Sequence, residues 1–241
     1  MCTVTIVPAG DGFRLGCNRD ERRDRAAASP PALHGLPHRT AIFPVDPVGR
    51  GTWVGVNNAG LAAALLNRTI DVAPPVDSPR RSRGLIVPDV LDCASLNDAL
   101  EMAVALNAND FDRFRLVIVQ QATVATLTSD GTTLAVEVTD LTRPLMLTSS
   151  SLGDALVEGP RRRLFERMFA GEERSWLRAQ SRFHRHQWRS RRDISVRMER
   201  ADARTVSHTV VDVSALEIEL RYRALDSAVY GQAACADAGS R

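Results

Sequence analysis

Short apolar-rich runs broken by turn residues dominate this chain, and longer helical periods interrupt them in its middle. Residues 2–7 and 13–18 carry strand patterning on either side of the turn Ala9-Gly10-Asp11-Gly12, which predicts a hairpin at the start. Residues 22–50 hold five prolines and few periodic apolar positions, which predicts a long wrapping loop. A second hairpin is expected from Thr52–Asn57 and Leu61–Asn67 around Asn58-Ala59-Gly60, with Leu61–Leu66 buried on both faces. Pro74–Arg81 reads as loop, and helix from about 83 to 108 is expected to break at Pro88 and restart at Ser95. There Ser95 with Asp98 has the spacing of a capping box.

Consecutive antiparallel strands are predicted at 115–120, 123–128 and 132–139, the last two joined by Asp130-Gly131, with another strand at 142–149. Helices follow at 156–169 and 172–188, then strands at 195–198, 205–213 and 218–223. No internal repeat or clear linker breaks the chain. Residues 1–225 therefore read as a single domain, and 226–241, small and polar, as a flexible C-terminal tail. Hairpin connections interrupted by helices predict an α+β layered fold and argue against a doubly wound parallel sheet.

Composition narrows the chemistry. Of 241 residues, 44% are hydrophobic and 25% charged, as in an ordinary globular protein, and the formal net charge of +2 gives no overall case for nucleic acid. All 31 basic residues are arginine, which excludes a lysine nucleophile, a Schiff base or a P-loop lysine. Four cysteines (Cys2, Cys17, Cys93, Cys235) lie far apart without a CxxC pair. No apolar run is long enough for a membrane-spanning helix, and none has the form of a signal peptide, so a cytoplasmic, reducing location is expected.

Cys2 is the most informative single position. Removal of Met1 would leave a thiol and a free α-amine on one residue, and that amine titrates near pH ~7.7–8.0. It is therefore suited to act as general base for its own thiol, an established form of covalent catalysis. The first hairpin would carry Asn18, Arg19 and Asp20 back beside Cys2.

Cys2, then Asn18-Arg19-Asp20-Glu21, Gly51-Thr52-Trp53-Val54-Gly55-Val56, Leu61 to Asn67, and Ser82-Arg83-Gly84 occur in an order that resembles the NRDE, or TANGO2-like (transport and Golgi organisation 2), family. The match is specific over residues 2–84 and looser beyond, where Thr148–Asp154 and Asp202-Ala203-Arg204-Thr205 support it. The resemblance implies relationship to N-terminal nucleophile hydrolases and so a four-layer αββα sandwich, two antiparallel sheets between helical layers. It implies Cys2 as nucleophile on an amide or ester carbonyl, Asp20 orienting its amine, and Asn67 as oxyanion donor. Asn18, Arg19, Glu21 and Arg204 are expected as supporting or substrate-binding groups. The family's usual Gly-Gly-Thr-Trp reads Arg50-Gly51-Thr52-Trp53 here, and its Ser-Asn pair near residue 150 reads Ser149-Ser150.

The resemblance leaves two functions open: hydrolysis or acyl transfer through an acyl-Cys2 intermediate, or non-catalytic binding and trafficking of haem, acyl-CoA or lipid. The chemistry needs no metal or organic cofactor. Cys17 reads as a small buried hydrophobe, Trp53 as core, and His208 as an ordinary strand residue. His184 and His186, two apart on a helix, face different directions and do not suit a shared metal. Acidic residues interleave the arginine-dense stretch 161–204, which therefore reads first as solvated surface and second as a site for an anionic ligand such as a CoA or carboxylate.

Overall fold

A computed structural model describes residues 2–70, 80–225 and 229–235. Six strands form one sheet in the order β10-β1-β2-β11-β12-β13: β10 is Leu145–Thr148, β1 Cys2–Ala9, β2 Gly12–Arg22, β11 Ala203–Val213, β12 Ile218–Ala224 and β13 Tyr230–Cys235. Seven form the other, in sequence order: β3 Ser29–Gly35, β4 Thr40–Val45, β5 Val54–Asn57, β6 Ala62–Asn67, β7 Phe114–Gln120, β8 Thr123–Ser129 and β9 Leu134–Asp140. Every pairing in both sheets is antiparallel. Helices α1 (Ile86–Leu91) and α2 (Leu96–Val104) pack with the seven-stranded sheet, and α3 (Asp154–Met168) and α4 (Glu173–Arg185) with the six-stranded one.

Strand alternation divides the core into three layers. Val4, Ile6, Phe13 and Leu15 of one sheet meet Val54, Val56, Ala62, Ala64 and Val117 of the other in the middle layer. The alternate residues Ala63, Leu65, Leu116 and Ile118 turn outward onto Ile86, Val90 and Leu91. Residues 61–66 are therefore buried on both faces because their sheet lies between two apolar layers. On the far side, Val7 and Met146 meet Leu164, Phe165, Phe169 and Phe183 from α3 and α4. The result is the expected αββα sandwich.

Between the six-stranded sheet and its helices there is also a buried polar layer. Thr3 and Thr5, alternating with Val4 and Ile6, face it. Arg161 of α3, 1% exposed, donates to Thr3 Oγ1 (2.9 Å), Thr148 Oγ1 (2.6 Å) and the carbonyls of Ile194 and Ser195. Gln180 of α4 donates to Thr5 Oγ1, and His184 bonds Thr5 Oγ1 (2.7 Å) and Asn18 Oδ1 (3.1 Å). His208 reaches the same Asn18 oxygen at 2.9 Å.

Four expectations need correction. The supposed loop 22–50 contains β3 and β4; Pro30 and Pro31 sit where the β3–β4 register shifts on the sheet's edge strand, where a missing N–H is tolerated. Pro88 does not break the helix, because it lies in the first turn of α1, where a missing N–H leaves no bond unmade. The break falls at 92–95, and the Ser95–Asp98 capping box is present. Residues 195–198 form no regular strand, and β13 pairs with β12 inside the supposed tail. The loop expected at 74–81 falls mostly outside the described residues, as do 226–228 and 236–241 of the tail.

The histidine pair predicts acid sensitivity. Burial pushes the His208 imidazole down to about 4 and that of His184 well below its ordinary value. Both are neutral in the fold, while the unfolded chain takes up their protons near pH ~6.5. Their stabilisation is therefore complete above that value and is lost as pH falls toward the folded values. Asp20, whose carboxyl burial raises, contributes the opposite sign. Urea unfolding from about pH 7.5 to pH 5 should show a loss on the order of 2 kcal/mol for His208. His208→Gln should flatten that slope; an unchanged slope would remove His208 as its source.

Candidate active site

Cys2 begins β1 and is 3% exposed. Register places it opposite Arg19, with Thr3 opposite Asn18, as the hairpin reading expected. Its side chain shares the sheet face of Val4 and Ile6 and reaches the end of the middle layer, where a cavity of about 310 Å³ opens. Cys2, Arg19, Glu21, Trp53, Asn67 and Arg83 are among the residues around it. The structure thus brings four expected residues, Cys2, Arg19, Glu21 and Asn67, to one cavity.

Asp20 and Asn18 point to the opposite face of β2. Asp20 is 1% exposed and accepts from Thr205 Oγ1 at 2.6 Å. Burial raises its carboxyl above the ordinary range, against the pull of Arg161 and the Thr205 bond. Asn18 donates to the carbonyls of His184 and Val196 and accepts from the histidine layer, so its contacts hold α4 and the 194–198 segment. Arg204 pairs in register with Glu21 and lines a separate depression with Arg19 and Glu21. It is not among the residues around the Cys2 cavity.

Ser149, first of the Ser149-Ser150 pair that stands where the family usually has Ser-Asn, also meets Cys2. Its Oγ lies 3.1 Å from the Cys2 nitrogen, which donates to it, and its own N–H donates to the Cys2 carbonyl at 2.9 Å. The β1–β10 pairing brings these residues together across 147 positions. The neighbouring Ser150 serves the loop instead, donating its N–H to Asp154.

The Cys2 sulfur is also specialised by its surroundings. A hydrogen bond from Cys17, diagonally across the hairpin, draws the Cys2 thiol below its ordinary value against the opposing effect of burial. Cys17, 0% exposed, is pushed well above its own. Of the two thiols, Cys2 is the one that reaches the cavity.

One wall of the cavity is a chain of ion pairs. Arg19 donates to Asp46 at 2.7 Å, lies 3.3 Å from Glu21, and stacks 4.2 Å above the Trp53 ring. Arg25 donates to the same Asp46 at 2.8 Å. Another part of the lining comes from residues 80–84, pressed against the Gly-Thr-Trp segment, with Thr52 N–H donating to the Gly84 carbonyl at 2.9 Å. A methyl group on Gly51 would stand 2.3 Å from the Gly84 carbonyl carbon. This close approach explains why Gly-Thr-Trp and Ser-Arg-Gly occur together. Arg50 adopts φ +56°, the left-handed conformation that suits the glycine usual there.

The family model described as Transport and Golgi organisation 2 matches residues 1–213. No curated protein sequence matches the chain. Among solved structures, penicillin V acylase from Agrobacterium tumefaciens superposes with TM-score 0.61 at 13% identity, over 97% of this chain and 86% of that one. A mutant of the conjugated bile acid hydrolase from Clostridium perfringens gives 0.59 at 11%, over 97% and 92%. The Caenorhabditis elegans orthologue of N-acylethanolamine-hydrolyzing acid amidase gives 0.57 at 13%, over 87% and 92%. At these identities the likeness is one of fold, that of the N-terminal nucleophile hydrolases.

Substitution at the close approach should separate the two glycine positions. Gly51→Ala forces backbone apart and is expected to cost about 2 kcal/mol or more in urea unfolding. Arg50→Gly relieves the left-handed strain and should be neutral or stabilising by up to about 1 kcal/mol. Equal effects at the two positions would contradict this account.

Proposed function

The chain belongs to the transport and Golgi organisation 2 family, and on that premise we propose that it is an N-terminal-nucleophile cysteine hydrolase or acyltransferase. Its substrate is a small molecule with an amide or ester bond. The observation that carries this reading is the division of Cys2 between two environments. Its sulfur faces a solvent-connected cavity, while its nitrogen is held by Ser149 at the strand's start.

With Met1 removed, a step that lies outside the described residues, that nitrogen is the α-amine. It takes the thiol proton as sulfur attacks the substrate carbonyl, forming a C–S bond. The oxyanion develops toward the Asn67 amide at the cavity wall. Collapse breaks the C–N or C–O bond, and the ammonium returns its proton to the leaving group. Water, or an acceptor in the transferase case, then cleaves the thioester. Ser149 and Asp20 fix the amine's position and charge in this scheme. Arg19, Glu21 and Asn18 act through structure: the first two brace the cavity wall and the third holds the helix layer. The scheme routes no step through Arg204.

The test is intact mass before and after brief exposure to an activated ester. The expected result is a chain lacking Met1 that gains one acyl group, with no gain in Cys2→Ala. Retained Met1, or equal acylation of the Cys2→Ala variant, overturns the mechanism. The reading then passes to a non-catalytic haem, acyl-CoA or lipid binder on the same scaffold. In the hydrolase, Ser149→Ala should slow deacylation by about tenfold or more and move its pH profile, because the amine loses a positioning partner.

A further inference from the structure

The cavity at Cys2 does not end at its own walls. Arg80, Arg83 and Asp112 are shared with an adjoining groove of about 280 Å³, which Arg68 and Arg113 also line. Among the described residues lining the groove, four arginines therefore accompany one carboxylate, Asp112. The arginines on the other wall are different, because Asp46 and Glu21 neutralise Arg19 and Arg25.

Three of the groove arginines donate to backbone carbonyls. Arg83 donates to the Arg113 carbonyl at 2.7 Å, Arg80 to the Phe111 carbonyl at 2.5 Å, and Arg113 to the Asp130 carbonyl at 2.9 Å. The one ion pair shown among them is a long one, 3.6 Å from Arg80 to Asp112, whose side chain is 59% exposed. The Arg80 side chain is only 8% exposed. Among the described residues, its Nη2 and the Nε of Arg68 are buried without a hydrogen-bond partner. A buried guanidinium nitrogen without an acceptor carries a desolvation cost that an oxyanion would relieve. A planar, forked donor set also matches the geometry of carboxylate and phosphate oxygens.

We propose that the groove of Arg68, Arg80, Arg83 and Arg113 is an oxyanion-binding subsite, taking a carboxylate or phosphate carried by the molecule whose other end reaches Cys2. This rests on the reading of the Cys2 cavity as the substrate site and names the substrate class: an acyl compound with an anionic arm. The arm docks on the arginine wall, and the paired wall of Arg19, Arg25 and Asp46 presents no comparable excess of charge.

Anion binding can be read without any reaction at Cys2. Calorimetric titration of the full chain with inorganic pyrophosphate and, separately, with glutarate at low salt distinguishes the two sources of oxyanion. Binding of pyrophosphate alone assigns a phosphate arm, and binding of glutarate alone a carboxylate; binding of both keeps the subsite general for oxyanions. Arg80→Gln should weaken the bound anion about tenfold or more, as loss of a charged hydrogen bond predicts. Arg174→Gln, at a residue 84% exposed on α4, should leave it unchanged. If Arg80→Gln does not fold, Arg68→Gln takes its place with the same expectation.

Binding of neither anion, or equal binding by wild type and the groove variants, overturns the proposal. Cys2→Ala should bind the anion as wild type does. An anion-binding chain with an inert Cys2 would then fail the hydrolase reading alone, and an acylating chain blind to both anions would fail the subsite alone.

Discussion

The guanidinium of Arg161 is a charge held almost wholly out of water, and the position of Cys2 depends on how that charge is satisfied. Placing such a group in a core costs several kcal/mol unless its donors are occupied. Here they meet two threonine hydroxyls, on β1 and β10, and two carbonyls in the segment after α4. The same charge acts on Asp20 and offsets part of its burial. Arg161 thus joins α3, the two strands that meet at Cys2, and the carboxylate behind them. Removing the charge would leave Thr3, Thr148 and Asp20 to repartition together, so this helix and the start of β1 are coupled.

That buried polar layer explains how the first hairpin can be buried on both faces and still present chemistry at one end. The face toward the other sheet is apolar until the last residue, Cys2, where the layer opens into a cavity. The opposite face is polar at Thr3, Thr5 and Asn18, which Arg161, Gln180 and His184 occupy, and turns apolar at Val7. Gly16 lies in this layer, and a methyl group there would stand 2.9 Å from the His184 ring. A rigid, fully bonded strand fixes the nucleophile more closely than a loop would.

Much of this was legible in the sequence because alternation reports burial directly. The hairpins at both ends of the cavity, the meander of β7 to β9 and the helices α3 and α4 follow from it. β3 was hidden by Pro30 and Pro31, and β13 by Gly231-Gln232-Ala233-Ala234, which pair as a strand without an alternating apolar face. Arg161 stands beside Arg162 and Arg163 and reads as solvent-facing surface. Yet Val157, Leu164 and Phe165 place position 161 on the buried stripe of α3, a signal that helical periodicity carries. The motif match marked Ser149 but not its contact with Cys2, and nothing marked the His184–His208 contact, because each depends on pairing between distant segments.

The sequence pattern around the site also divides more finely in three dimensions than along the chain. Asn18, Arg19, Asp20 and Glu21 are consecutive, but strand geometry sends Arg19 and Glu21 into the cavity wall and Asn18 and Asp20 beneath the helices. The four residues therefore act as two pairs: one braces Trp53 and Asp46 at the mouth, and the other lies within the polar layer that supports Cys2 from behind. Both pairs can be required for function without touching the same molecule. Loss of Arg19 or Glu21 should alter the shape of the mouth first, and loss of Asn18 or Asp20 the support of β1. The continuity of the motif reflects a single strand that separates these two tasks by its pleat.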